Sequence, residues 1–257
     1  MQQSIDGDKS SEVPASVNKV DISEPMRWLE AGWQDFRQMP LQSGFYGLVF
    51  VLAGYALTAV AWKTPILVLT FVTGFFLVTP FLALGLYHLS WQKQQEGQIK
   101  LSNSLWALAE NKLDMGILSG LHLLVFLAWI GMVSLISLHL LTTAELELSA
   151  YIEKLFTTPE GLVLLLMFII SGGLLALLVF VVSVVSWPML MDRHCGIFRA
   201  VITSINVVRE NTLVMILWAV LITGLLSIGL ATFYLGLLVI LPVLGHASWH
   251  AYRALVE

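Results

Sequence analysis

Five long stretches of this chain, residues 38–62, 64–92, 115–144, 161–191 and 211–252, contain no Lys, Arg, Asp or Glu. A helix rises ~1.5 Å per residue and a bilayer's hydrocarbon core is ~30 Å thick, so about 20 apolar residues make one crossing. Each of the first four stretches has room for one span. The fifth is 42 residues long and would extend ~63 Å as a single helix, so it must fold back on itself. The turn is placed at Gly229 or within the neighbouring Gly224 to Ala231 stretch. This predicts six spans at roughly 43–62, 65–88, 115–141, 161–187, 212–229 and 232–250. A transmembrane barrel would alternate apolar and polar positions, whereas Val163 to Ile170 and Leu121 to Ile130 are apolar on consecutive residues. The fold class is therefore all-α, a polytopic membrane protein.

Orientation follows from the basic residues, because cytoplasmic loops carry the Lys/Arg excess. Six spans put Lys9, Lys19, Arg27, Arg37, Lys93, Lys100, Lys112, Arg193, Arg199, Arg209 and Arg253 on one side, and only Lys63 and Lys154 on the other. Both termini are thus expected in the cytoplasm. Residues 1–22 read as a polar, disordered cytoplasmic tail, and residues 23–255 as one six-helix transmembrane domain. The external loop 142–160 is acidic and reads as solvated. A net charge of −4 excludes the broad basic surface needed to bind nucleic acid, and the single Cys195 excludes an intramolecular disulfide.

Three segments superpose without gaps: residues 26–39 (MRWLEAGWQDFRQM), 98–111 (QIKLSNSLWALAEN) and 198–211 (FRAVITSINVVREN). Leu29, Trp33 and Phe36 then match Leu101, Leu105 and Leu108, and match Val201, Ile205 and Val208. The spacing i, i+4, i+7 puts each trio on one helical face, as in a helix lying in the headgroup plane. Ser23 followed by Pro25, and Ser102 or Ser104, supply helix starts. The even-numbered spans end with Pro80, Pro188 and Pro242, read as equivalent kinks near the cytoplasmic side. The chain is expected to be three copies of an amphipathic helix plus a helical hairpin, at about 24–92, 98–192 and 197–252. Trp62, Trp91, Trp187 and Trp249 fall at span ends, where aromatic anchors belong. Gly44, Gly47 and Gly54, Gly74 and Gly85, and Gly172 with Gly173 offer small faces for helix packing, although none forms a clean GxxxG pair.

The opening MRWLEAGWQDFRQMP, the middle TPFLALGLYHLS and the ending LPVLGHASWHAYR together resemble a bacterial family of predicted integral membrane proteins, domain of unknown function 2189. The resemblance runs over about residues 24–255, and GHASWHAYR (Gly245 to Arg253) is its most specific part. It implies a multi-span protein of the bacterial inner membrane and no particular activity. Some members carry the label putative cytochrome c oxidase subunit I, a role that needs several histidines deep in separate spans. This chain lacks them.

The span cores hold no Asp, Glu, Lys or Arg, which argues against a proton relay built on buried carboxylates. His88, His246 and His250 all follow the repeat prolines; His246 and His250 are i, i+4 neighbours, a spacing that can grip a metal or haem. They are the candidate cofactor ligands, against the plainer alternative that they cap carbonyls or contact headgroups. Asp192 to Cys195 form a polar cluster in which Asp192 starts the next amphipathic helix, Arg193 anchors at the interface and Cys195 fills space. Glu110 with Asn111, and Glu210 with Asn211, either line a vestibule or hydrogen-bond the backbone at a helix corner. The expected function is a non-enzymatic accessory or structural component of the membrane, without cofactor. Its expected partners are lipid and either a membrane protein or further copies of itself. Two alternatives stay open: a transporter or channel for a small uncharged solute, and a haem or metal protein.

Overall fold

The computed structural model describes residues 15–61, 83–95, 99–105, 111–140, 148–193 and 195–257. Among them every regular element is a helix: α1 (Glu24–Gln38), α2 (Pro40–Ala61), α3 (Leu84–Gln95), α4 (Leu101–Leu105), α5 (Lys112–Leu140), α6 (Leu148–Thr157), α7 (Pro159–Ser183), α8 (Ser186–Arg193), α9 (Ile197–Glu210), α10 (Thr212–Ala231) and α11 (Leu237–Leu255). By length and composition four stretches can cross a membrane: Pro40–Ala59, Lys112–Leu135, Pro159–Arg193 and Thr212–Ala231. The predicted span at 65–88 falls mostly outside the described residues, as does Pro80. The sixth predicted span is helical, as α11, but His246, Ser248, His250 and Arg253 crowd its second half and it is not among the four.

The described residues fall into two compact units, one within 52–79 and 120–179, the other within 1–51, 80–119 and 180–257. The first is organised on Trp129, buried with Val133, Leu155, Leu164, Phe168 and Val179. Gly172 leaves room for the indole: a Cβ there would come within 3.0 Å of Trp129 Cη2. Residues 148–157, expected as solvated loop, are helical because Leu155 on α6 buries in this cluster. Thr158 then starts α7, its hydroxyl accepting from Gly161 N–H at 3.0 Å with Pro159 in the first turn.

In the second unit the ends of three helices, α3, α8 and α11, touch one another, and each receives a further helix: α4 on α3, α9 on α8 and α1 on α11. Trp187 and Trp249 are fully buried there, so these two are core residues and not headgroup anchors. Pro188 lies on α8 just after the break at 184–185 that separates it from α7, whereas α11 continues through Pro242. Proline lacks the N–H that would bond the carbonyl four residues back, which at Pro242 is that of Leu238. Gly47 of α2 lies against that carbonyl: a Cβ at Gly47 would stand 2.3 Å from Leu238 O. Gly32 of α1 approaches α11 as closely, at Val243 O and Ala247 N.

α10 runs through Gly229 to Ala231, and the chain reverses at 232–236, a few residues later than expected. Gly229 serves packing instead of turning: a Cβ there would meet Leu237 Cδ2 at 2.2 Å. The turn itself uses Phe233 and Tyr234 at φ 54° and 68°, a left-handed conformation uncommon in residues other than glycine. Thr232 steadies it, its hydroxyl donating to Gly229 O and accepting from Gly236 N–H, both at 2.9 Å. At the opposite end, Asn211 Nδ2 donates to Asn18 O (3.0 Å) while Asn18 N–H donates to Leu255 O (2.9 Å). α10 and α11 therefore run antiparallel over their full lengths.

Residues 15–20 are not a loose tail. Val17 pairs with Val256 in an antiparallel bridge, Glu257 N–H donates to Ser16 O (3.1 Å), and Ala15 N–H donates to Thr203 Oγ1 (3.1 Å). Residues 1–14 lie outside the described ones.

α1 and α9 form where the sequence places them, but the faces they bury lie one residue before the apolar trios. On α1 the buried positions are Trp28, Gly32 and Asp35, followed by Met39; on α9 they are Ala200, Ser204 and Val207, followed by Asn211. These correspond one to one in the superposition. Leu29, Trp33 and Phe36, and Val201, Ile205 and Val208, are half-buried or exposed. Asp192 does not start α9; it ends α8, and the α9 N-terminus is capped by Asp114, whose carboxylate accepts from Ile197 N–H at 3.0 Å.

Candidate functional site

The buried stripe of α1 carries one charged residue. Asp35, 2% exposed, is held by three side chains from α3 and α11: Oδ1 accepts from Lys93 Nζ (2.6 Å), and Oδ2 accepts from the Ser90 hydroxyl (2.6 Å) and meets His250 Nε2 (2.9 Å). Ser90 also lies 2.7 Å from His246 Nδ1, and His246 Nε2 lies 2.9 Å from Ser43 Oγ on α2. Because Ser90 gives its proton to the carboxylate, its oxygen accepts from His246 Nδ1–H; in the neutral imidazole Nε2 then accepts from the Ser43 hydroxyl. The network joins α1, α2, α3 and α11.

A serine hydrogen-bonded to a histidine is the pairing used for nucleophilic catalysis, but here Ser43 and His246 are wholly buried. What the arrangement does is satisfy every member in place, which a buried charge requires. The three candidate histidines are not assembled into one site. His246 and His250 share the Asp35 network, while His88 Nδ1 lies 2.8 Å from Gln92 Nε2 and its ring packs on Trp91. Among the described residues no group of three His, Cys, Asp or Glu side chains is placed to hold a metal.

Burial alone would raise the Asp35 carboxyl, but hydrogen bonds from His250, Lys93 and Ser90 overcome it and hold the group well below its ordinary 3.8. A depressed carboxylate adds stability that is fully present above its unfolded value and is lost as pH falls through the folded one. The stability difference between the wild type and Asp35→Asn is therefore expected to be larger at about pH 5 than at about pH 3, narrowing as pH falls below about 4. Thermal unfolding in detergent across that range measures it.

A second polar cluster binds the C-terminal segment. Arg193 Nε donates to Tyr252 Oη (2.8 Å), its other nitrogens donate to Val256 O and Glu257 O, and Tyr252 donates to Asp192 Oδ2 (2.7 Å). Arg193 thus clamps backbone where an interfacial anchor was expected. Cys195 is buried, with its sulfur 4.0 Å from Met189 O, and burial pushes its thiol up despite Arg199 nearby, so it is a poor nucleophile. Asn111 Nδ2 donates to Leu190 O and Cys195 O, and Asn211 bonds both Asn18 O and Val20 N–H. Both asparagines therefore bind backbone, but chiefly that of distant segments and not of their own corners, where only Asn211 reaches Val207 O; Glu110 lies outside the described residues.

Residues 66–192 match the family model described as predicted integral membrane protein, DUF2189. The resemblance seen in the sequence holds over those residues. The opening segment and Gly245 to Arg253, expected to be its most specific part, lie outside the matched residues. No curated protein and no solved structure matches. The chain is an integral membrane protein, similar over residues 66–192 to a family without assigned function.

Proposed function

We propose that the protein is a non-enzymatic accessory or structural membrane component, built from six spans as three helical hairpins with both termini in the cytoplasm. The observation that carries this reading is the closed Asp35 network: Asp35, Ser43, Ser90 and His246 are buried, and with Lys93 and His250 they spend their hydrogen bonds on one another. Such a network fastens helices and offers no vacancy to a substrate.

The hairpin arrangement is supported by parity. Val17 and Val256 are bonded to each other, so any membrane must be crossed an even number of times between them. α11, at 19 residues, returns alongside α10 and is about 28 Å long, enough for a sixth crossing if α10 makes the fifth. The cyclic docking of α1, α4 and α9 on α11, α3 and α8 is what three repeats around one axis produce. The bacterial inner membrane, suggested by the family resemblance, and the cytoplasmic side, read from the excess of basic residues, are part of the same proposal.

Flux in proteoliposomes tests the function. The full chain is expected to pass glycerol and urea no faster than empty vesicles; strong, saturable flux would replace this reading with that of a transporter.

A further inference from the structure

α2, α5 and α10 begin at Pro40, Lys112 and Thr212, which are equivalent positions when the three repeat segments are extended by one residue. The next residue is leucine in all three, and each is exposed: Leu41 at 85%, Leu113 at 75% and Leu213 at 73%. The corners before α2 and α10 share a conformation. Met39 lies at φ −134°, ψ 57° and Asn211 at φ −121°, ψ 38°, with N–H groups bonded to the matched carbonyls of Asp35 and Val207. Met26 and Phe198, matched near the starts of α1 and α9, are exposed too.

Arginines bracket these two faces at matched positions: Arg27 with Arg199, and Arg37 with Arg209. Arg27 is steadied by Glu24 at 2.7 Å, which leaves most of its donors free, and Arg37 and Arg209 are exposed. Guanidinium groups match phosphate bidentately. A helix with an apolar outward face, cationic ends and direct continuity into a membrane-length helix suits the boundary between phosphates and acyl chains.

We propose that α1 and α9 are phospholipid-binding elements, their paired arginines engaging leaflet phosphates while Leu41 and Leu213, with Leu113 at the third corner, insert just beneath. This rests on the three-hairpin reading, which puts all three corners on one side of the bilayer.

The full chain, carrying Cys195→Ala and singly Leu41→Cys, Leu113→Cys or Leu213→Cys, is spin-labelled in nanodiscs of phosphatidylcholine and phosphatidylglycerol. Depth is read from relaxation by oxygen against a water-soluble nickel complex. All three labels are expected at one depth, about 5–10 Å below the phosphates. In parallel, Tm is measured for delipidated protein before and after adding the same lipids. The lipid-induced rise is expected to be lost in the combined variant Arg27→Gln, Arg37→Gln, Arg199→Gln, Arg209→Gln and kept in Lys154→Gln. Equal depths with the full rise retained overturn phosphate binding and leave the hairpins standing. Any of the three labels in bulk water also overturns the proposal. A Leu213 label in the leaflet opposite Leu41 overturns the three-hairpin reading itself. The Tm arm needs no introduced cysteine, so it stands even where a labelled variant fails to fold.

Discussion

Asp35→Ala is expected to lower stability by about 3 kcal/mol, seen as a Tm lower by about 6–12 °C in detergent. The substitution strips the acceptor from Ser90, Lys93 and His250 at once. Removing one partner of a buried ion pair costs about 3–5 kcal/mol, and the lower end applies because the Lys93 side chain keeps 30% exposure and can reach water. Asp35→Asn retains an oxygen in the same place and is expected to lose about half as much. Apolar replacement of the whole group, Asp35→Val with Ser90→Ala, Lys93→Met and His250→Leu, is expected to recover most of the loss. α9 already manages without the charge, since its matched position is the buried Val207. A recovered Tm identifies the network as a fastening. Failure to recover, in a variant that still folds, points to a role for the charge itself.

Gly47→Ala is the second large effect, a loss of about 3 kcal/mol. The added Cβ would stand 2.3 Å from Leu238 O, 2.8 Å from its carbonyl carbon and 2.9 Å from its Cα, and backbone on both sides cannot yield as a side-chain tip would. Gly44→Ala is the matched control on the same helix: nothing lies within 4 Å of its Cβ position, so it is expected to be neutral or to stabilise by up to about 1 kcal/mol through helix propensity. Thermal unfolding of the two variants side by side checks both signs. Equal losses would mean that α2 does not approach α11 as described.

How much was legible in the sequence follows from what each signal measures. Absence of charge marks long helices, and α2, α5, α7 and α10 lie where the charge-free runs put them. Matching apolar positions located α1 and α9, but apolarity in a membrane protein marks contact with lipid as much as contact with protein. The trios of Leu29 and Val201 were therefore found, while the faces buried in the protein are set by small and polar residues, Gly32, Asp35 and Ser204, that hydropathy discounts. Asp35 was missed for the same reason. Its signal was a carboxylate in line with Trp28 and Gly32, and the His246 and His250 pair, read as a possible metal grip, supplied one of its ligands. The order of residues 15–20 could not be read locally, because it depends on pairing with Leu255 to Glu257 at the far end of the chain.

The most direct test of the architecture joins those two ends. Val17→Cys with Val256→Cys, in a Cys195→Ala background, is oxidised in whole membranes. Each single cysteine is labelled with a membrane-impermeant maleimide from either side. The expected result is an intramolecular disulfide at the mass of one chain, with both cysteines reached only from the cytoplasmic side. Labelling of the two positions from opposite sides, with no disulfide formed, would contradict the doubling back of the final apolar tract and, with it, the three-hairpin arrangement.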